Sequence, residues 1–109
     1  MANPSASRSG ALVIGPRANM ATLVADMLRV LGWRDIREVT EASQAQFLLQ
    51  RSAFDLVILD DALTGVDAVD LVRRLRADAA SPNRLTTVIM MAAAPDLGRI
   101  AAARDAGVT

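Results

Sequence analysis

The chain has 109 residues, of which 52% are hydrophobic and 22% are charged, so it can form one packed domain and wholesale disorder is excluded. Twelve basic and twelve acidic residues give a formal net charge of zero, which argues against a general nucleic-acid coat. The sequence contains no Cys, His or Lys, which excludes disulfides, thiol or imidazole catalysis, Cys or His metal ligation, and lysine-based Schiff-base or P-loop chemistry.

The first ten residues are small and polar with one Arg, and they predict a flexible N-terminal tail over residues 1–10. No apolar stretch reaches the roughly 20 residues that a membrane-spanning helix needs, and the N-terminus lacks a signal-peptide core. We therefore expect a cytoplasmic protein with no membrane partner.

Short apolar runs then alternate with segments of helical spacing. The predicted strands, in chain order, are residues 11–14, 35–40, 55–59 and 87–91. The first predicted helix has its core stripe at Met20, Leu23, Val24, Met27, Leu28 and Leu31, and it stops at Gly32. The following helices have apolar faces at Ala45, Leu48 and Leu49, at Ala68, Val69, Val72 and Leu75, and from Leu97 to Ala103 before Gly107.

This alternation predicts an α/β fold in which helices cover both faces of a parallel sheet. The functional crevice of such a sheet lies beyond the carboxyl ends of its strands. Three strand ends are candidates to line it, namely Gly15-Pro16, Asp60-Asp61 and Ala92-Ala93.

The segment from Asp55 to Arg76, DLVILDDALTGVDAVDLVRRLR, resembles the receiver domain of two-component response regulators. Asp60 matches the family's phospho-acceptor and Gly65 matches the loop that follows it, although Thr64 replaces the usual Pro. The resemblance covers residues 11–109. It implies a flavodoxin-like, doubly wound sheet with strand order 2-1-3-4, in which the family's fifth strand and last helix are missing from this chain.

Three functional roles of the family have no matching side chain in this sequence. The acidic pair that helps to hold Mg²⁺ falls on Gly15 and Pro16, the phosphoryl-contacting Ser or Thr falls on Ala92, and no Lys exists anywhere. Asp60 remains, and weak Mg²⁺ binding there would draw on Asp61 or on the carbonyl of Ala62. Phosphoryl transfer depends on positioning and charge neutralisation, so these losses indicate a degenerate pseudo-receiver. The resemblance then implies an interaction module that has no cofactor and is not an enzyme.

Two other functions stay open at this stage. The domain could be a phosphorylatable receiver that accepts a phosphoryl group from a histidine kinase on Asp60. It could also be a small-anion or nucleotide sensor, in which the turn at Gly15, Pro16 and Arg17 receives the ligand at a helix N-terminus. Arg17 could alternatively form an ion pair with Asp60, although a solvated Arg is the simpler expectation.

The expected partner is another protein, either a histidine kinase or a downstream regulator. Without a fifth strand, the fourth strand becomes an apolar sheet edge, which predicts a homodimer through the fourth strand and fourth helix or a longer polypeptide that covers them. Trp33 is expected to pack at the rim of the core. Arg73, Arg74 and Arg76 are expected to form a solvated helix face and not a nucleic-acid patch.

Overall fold

The computed structural model describes residues 10–109, which form four strands alternating with four helices. The strands are β1 (Gly10–Ile14), β2 (Asp35–Val39), β3 (Leu56–Asp60) and β4 (Thr87–Met91). The helices are α1 (Ala18–Val30), α2 (Ala42–Arg51), α3 (Ala68–Ala77) and α4 (Leu97–Ala106). All strands pair in parallel in the order β2-β1-β3-β4, which confirms the predicted fold and strand order.

The boundary of the predicted tail is wrong by one residue. Gly10 begins β1, where its carbonyl accepts a hydrogen bond of 2.8 Å from the amide of Asp55. The other nine residues of the predicted tail lie outside the described residues. Between residues 10 and 109, no helix has the length and apolar character needed to cross a membrane.

Side chains of the central strands alternate between two apolar cores, as the period of two in a strand requires. The larger core joins Leu12, Val57 and Val88 to the buried faces of α2, α3 and α4. The smaller core joins Val13 and Ile58 to α1 on the opposite face of the sheet. The helices therefore cover both faces, as predicted.

The predicted core stripe of α1 is largely wrong. Ala21, Ala25 and Leu28 are the buried residues of this helix, whereas Leu23 and Met27 are more than half exposed. The two alanines occupy the positions that face the sheet, so the larger apolar residues lie on the flank of the helix. Thr22 and Arg29 lie on another side of α1, and both contact Glu38 of β2. This side of the helix therefore faces β2, and the side with Leu23 and Met27 does not.

Arg76 corrects the prediction that all three arginines of α3 are solvated. Its guanidinium is half-buried and donates hydrogen bonds to the carbonyls of Gly107 (2.8 and 3.1 Å), Thr86 (2.7 Å) and Arg84 (2.8 Å). Burial lowers the pKa of Arg76 from its ordinary value. Arg76 thereby ties the end of α3 to the end of α4 and to the chain entering β4, while Arg73 and Arg74 are exposed, as predicted.

Asn83 fixes the loop before β4 against the loop before β3. Its side chain is fully buried, donates to the carbonyls of Leu49 (2.7 Å) and Ser52 (2.6 Å), and accepts from the amide of Phe54 (2.7 Å). These bonds satisfy backbone groups that the adjoining helix and strand leave unpaired. Trp33 is half-buried against the smaller core, which confirms its predicted packing role.

The outer edge of β4, the last strand in the sheet order, and the adjacent part of α4 expose apolar residues. Val88 is buried and pairs at this edge with Thr109, whose amide donates to its carbonyl over 2.8 Å. Ile89 and Ile100 are about half exposed and Leu97 is 84% exposed. The predicted apolar character of this region is confirmed, whereas the self-association inferred from it remains a prediction.

Candidate functional site

Asp60 is the final residue of β3 and lies at the carboxyl edge of the parallel sheet. Its side chain is almost completely buried, and its Oδ1 atom accepts a hydrogen bond of 2.9 Å from the amide of Ala62. The carboxylate therefore points back over the loop that follows the strand. A buried carboxylate retains its charge only if hydrogen bonds or a cation compensate for the lost water.

Gly15 lies directly against Asp60, as expected for a residue at the neighbouring strand end. A Cβ atom built on Gly15 would be 3.1 Å from the Cβ and 3.5 Å from the Oδ2 of Asp60. Gly15 follows β1, and its amide donates to the carbonyl of Val39 at the end of β2 (3.1 Å). A carboxylate at this position would adjoin Asp60, but glycine brings no charge, and the half-buried Pro16 brings none either.

Arg17 is the cation nearest to Asp60 among the ion pairs of residues 10–109. Its Nη2 atom lies 3.9 Å from Asp60 Oδ2, with 64% of the Arg17 side chain and 10% of the Asp60 side chain exposed. This separation permits charge attraction but is too long for a hydrogen bond. Arg17 is also the extended N-cap residue of α1. Both expectations for Arg17 thus hold in part, because it is largely solvated and also pairs with Asp60.

Asp61 points to a different cation, Arg99 in the first turn of α4. The Nε atom of Arg99 lies 3.1 Å from each oxygen of Asp61, and its Nη2 atom makes a further close contact with the same carboxylate. Nη2 also lies 3.0 Å from Oδ1 of Asp67. Asp60 and Asp61 therefore have separate partners, as expected for adjacent residues whose side chains leave an extended chain on opposite sides.

The Arg99 cluster changes the acidity of its members. The hydrogen bonds that Arg99 donates to Asp61 and then to Asp67 raise the pKa of Arg99, because they stabilise its charged form. The hydrogen bond from Arg99 lowers the pKa of Asp67. Sequence reasoning missed Arg99 entirely. No local pattern marks it, since its partners are 38 and 32 positions away along the chain.

Ala92 follows β4 and lines a hollow of about 270 Å³ with Asp61 and Arg99. Its methyl group offers no hydroxyl for an oxyanion. A larger hollow of about 510 Å³ lies between α2 and α3, next to Phe47 and Asp78, and contains none of the predicted site residues. Of the predicted crevice residues, Gly15, Arg17 and Ala62 contact or adjoin Asp60, while Ala92 lies with Asp61.

The side chains at this edge do not fit a Mg²⁺ ion. Mg²⁺ requires several oxygen ligands in near-octahedral geometry, usually including carboxylates. Asp60 is accompanied by Gly15 and by the guanidinium of Arg17, and Asp61 is held by Arg99. Within residues 10–109 no group of three acidic side chains is arranged to hold a metal ion. The positive charge that the described residues bring near Asp60 is the guanidinium of Arg17.

Comparison with known sequences finds chemotaxis proteins among the relatives of this chain. The chemotaxis protein CheY-3 of Vibrio cholerae is 29% identical over 97 residues, which cover 89% of this chain and 73% of that protein. The chemotaxis protein CheY of Pseudomonas aeruginosa is 28% identical over 97 residues, covering 89% and 77% of the two chains.

Solved structures show the same fold. The receiver domain of a DNA-binding response regulator from Colwellia psychrerythraea superposes with a TM-score of 0.81 at 23% identity, covering 90% of this chain and 79% of that chain. The chemotaxis response regulator CheY4 of Vibrio cholerae gives a TM-score of 0.80 at 16% identity, covering 91% and 80%. The model of the response regulator receiver domain family matches residues 11–109. With Asp60 at the end of β3 and this match over nearly the whole chain, the protein belongs to the response regulator receiver domain family of two-component signalling.

Proposed function

We propose that this protein is a pseudo-receiver, a signalling module that binds a protein partner without Mg²⁺-dependent phosphorylation of Asp60. The single observation that carries the proposal is the environment of Asp60. Its neighbour Gly15 has no carboxylate, and the guanidinium of Arg17 lies 3.9 Å from its Oδ2 atom.

Charge arithmetic at the site supports this proposal. Phosphoryl transfer to a carboxylate brings negative groups together, and a receiver relies on bound cations and hydrogen-bond donors to neutralise them. Among the described residues, Asp60 accepts one amide hydrogen bond, from Ala62, and has one arginine nearby, whose Nη2 atom is 3.9 Å from its Oδ2 atom. Because the guanidinium of Arg17 is largely exposed, water screens its charge, and it neutralises a phosphoryl group at Asp60 less than a bound metal ion would. Phosphoryl transfer to Asp60 would therefore lack most of the charge neutralisation on which the family's reaction relies.

The partner that we propose is a histidine kinase or a downstream regulator. Receiver domains interact with histidine kinases and downstream effectors, and this chain's relatives include chemotaxis proteins by name. Exposed apolar residues on β4 and α4, including Ile89 and Ile100, support a contact surface there, either for that partner or for a second copy.

The second candidate function is a phosphorylatable receiver, and one observation favours it. Asp60 retains its place at the carboxyl edge of β3, where the amide of Ala62 holds the carboxylate in a fixed orientation. Modest reactivity could survive on these features alone. The two functions differ in one measurable property, namely whether Asp60 gains a phosphoryl group.

The test is incubation of the natural full-length polypeptide with acetyl phosphate and excess Mg²⁺, followed by intact-mass measurement. The pseudo-receiver is expected to gain no phosphoryl group while circular dichroism shows that it is folded. A phosphoryl adduct that disappears in Asp60→Asn would overturn the proposal and establish the second candidate.

A pair of variants tests whether the missing carboxylates are what prevents Mg²⁺ binding. The double variant Gly15→Asp/Pro16→Asp restores both carboxylates of the family's acidic pair, one of them at the position that adjoins Asp60, and Gly15→Asn/Pro16→Asn is the control of equal size without charge. We expect the aspartate pair, and not the asparagine pair, to bind Mg²⁺ in isothermal titration calorimetry. A third variant, Arg17→Gln, removes the nearby cation. If Arg17→Gln alone confers Mg²⁺ binding, the arginine and not the missing acidic pair is what prevents it.

A further inference from the structure

Helix α4 is attached to the domain by different forces at its two ends. Its buried residues, Ala103 and Ala106, are both in the C-terminal half. Leu97 and Ile100 in the N-terminal half are 84% and 50% exposed. The preceding loop, residues 92–96, is exposed throughout. Apolar burial therefore anchors the end of the helix but contributes little at its beginning.

Arg99 supplies the contacts that the beginning of α4 lacks. Its Nε atom lies 3.1 Å from both oxygens of Asp61, which follows β3. Its Nη2 and Nη1 atoms lie 3.0 and 3.4 Å from the two oxygens of Asp67. One guanidinium thus joins three elements, and its planar fork of donors suits two carboxylates at once.

The three side chains are sheltered enough for this attachment to matter. The Arg99 side chain is 29% exposed and the Asp61 side chain 19%, whereas Asp67 is 46% exposed. Ion pairs with partial burial and bidentate geometry contribute more than the surface pairs that salt screens. Asp67 also caps α3 by accepting from the amide of Asp70 (3.1 Å), so the position of its carboxylate is fixed independently of Arg99.

We propose that Arg99 is an ion-pair latch that holds the N-terminal half of α4 against the end of β3 and the start of α3. The latch presents the exposed face of α4 in one orientation without any chemical change at Asp60. It is a conformational device distinct from the pairing of Asp60 with Arg17, and it does not depend on whether Asp60 accepts a phosphoryl group.

The test is amide hydrogen exchange, measured by NMR on the natural full-length polypeptide with no phosphoryl donor or metal added. In Arg99→Gln we expect the amides of Ile100 to Ala102 to exchange about tenfold faster, while those of Ala103 to Ala106 and of β3 change less than twofold. Arg104→Gln is the matched control on the same helix, since the Arg104 side chain is 74% exposed and pairs only with neighbouring Asp105 in the described structure. It should leave all of these rates unchanged.

Two further variants separate the latch from general destabilisation. Arg99→Lys keeps the charge but lacks the fork, so its exchange rates should lie between those of the unchanged protein and Arg99→Gln. Asp67→Asn keeps a capping side chain for α3 and removes one charge, so it should accelerate the same three amides by about threefold. If Arg99→Gln does not fold, the exchange rates of Asp67→Asn test the latch by themselves.

Two results would overturn the latch. One is exchange of Ile100 to Ala102 in Arg99→Gln within twofold of the unchanged protein. The other is equal acceleration in both halves of α4 and in β3, which would make Arg99 a contributor to global stability only. Because the measurement involves neither acetyl phosphate nor Mg²⁺, its outcome is independent of the test of the proposed function.

Discussion

Replacing Arg76 with Met removes a guanidinium that joins three parts of the chain and keeps most of the aliphatic stem. In the structure this group donates four hydrogen bonds of 2.7 to 3.1 Å to the carbonyls of Gly107, Thr86 and Arg84. The free energy of unfolding should fall, because those carbonyls lose a charged donor and two of the contacts span distant segments of the chain.

The magnitude follows from the number and exposure of these bonds. A hydrogen bond to a charged group contributes roughly 1.5–3 kcal/mol when buried, and the contributions do not add fully within one network. Arg76 is half-buried, and water can replace part of what is lost. We therefore expect a loss of about 2–4 kcal/mol, a large fraction of the roughly 5–15 kcal/mol that stabilises a domain of this kind.

Urea denaturation followed by circular dichroism measures this loss. Arg74→Met is the matched control, since Arg74 is exposed on the same helix and the described residues give it no hydrogen bond or ion pair. Its unfolding free energy should change by less than about 0.5 kcal/mol. If Arg76→Met loses less than about 1 kcal/mol, or no more than Arg74→Met, then the carbonyl contacts of Arg76 do not stabilise the fold and the reasoning is refuted.

Three other predictions concern stability. Asn83→Ala should lower the unfolding free energy by about 3 kcal/mol in the same urea assay, because the amide of Phe54 and the carbonyl of Ser52 lose their bonds to the fully buried Asn83 side chain. A loss under about 1 kcal/mol would contradict this. Gly107→Ala should lower the midpoint of thermal unfolding by several degrees. Gly107 has a φ of +108°, which alanine rarely adopts, and an added Cβ would lie 2.8 Å from Cγ of Arg76. An unchanged midpoint would show that the end of α4 adjusts freely. The folded-state pKa of Asp67 is lowered from 3.8, so its contribution is present above that pH and is lost as pH falls below it. The stability difference between the unchanged protein and Asp67→Asn should therefore shrink between pH 5 and pH 2 in urea titrations, and a difference that is constant with pH would refute the assignment.

Local patterns were sufficient to predict the strands and helices of this domain. The run Leu56 to Leu59 has no polar residue, so it predicts a strand that is buried on both faces, and the structure places it at the centre of the sheet. The position of Asp60 at the end of that strand follows directly. The same reasoning located Gly15 beside Asp60, because parallel strands end at a common edge.

Side-chain burial was less predictable where more than one apolar face was available. Leu23 and Met27 have helical spacing and strong hydrophobicity, yet Ala21 and Ala25 face the sheet. Small residues allow α1 to approach the strands closely, and periodicity alone does not reveal which of two adjacent stripes will do so.

The sequence by itself determined the alternation of elements, the strand order implied by the family resemblance, and the loss of carboxylates at Gly15 and Pro16. The alternation and the absence of carboxylates depend on residue type and on spacing along the chain, whereas the strand order was an expectation from the resemblance. Only the tertiary structure decided that Arg99 holds Asp61 and Asp67, and that Arg76 binds the carbonyl of Gly107, 31 residues away. Long arginine side chains can reach many partners, and which of them they meet depends on how the helices pack against the sheet.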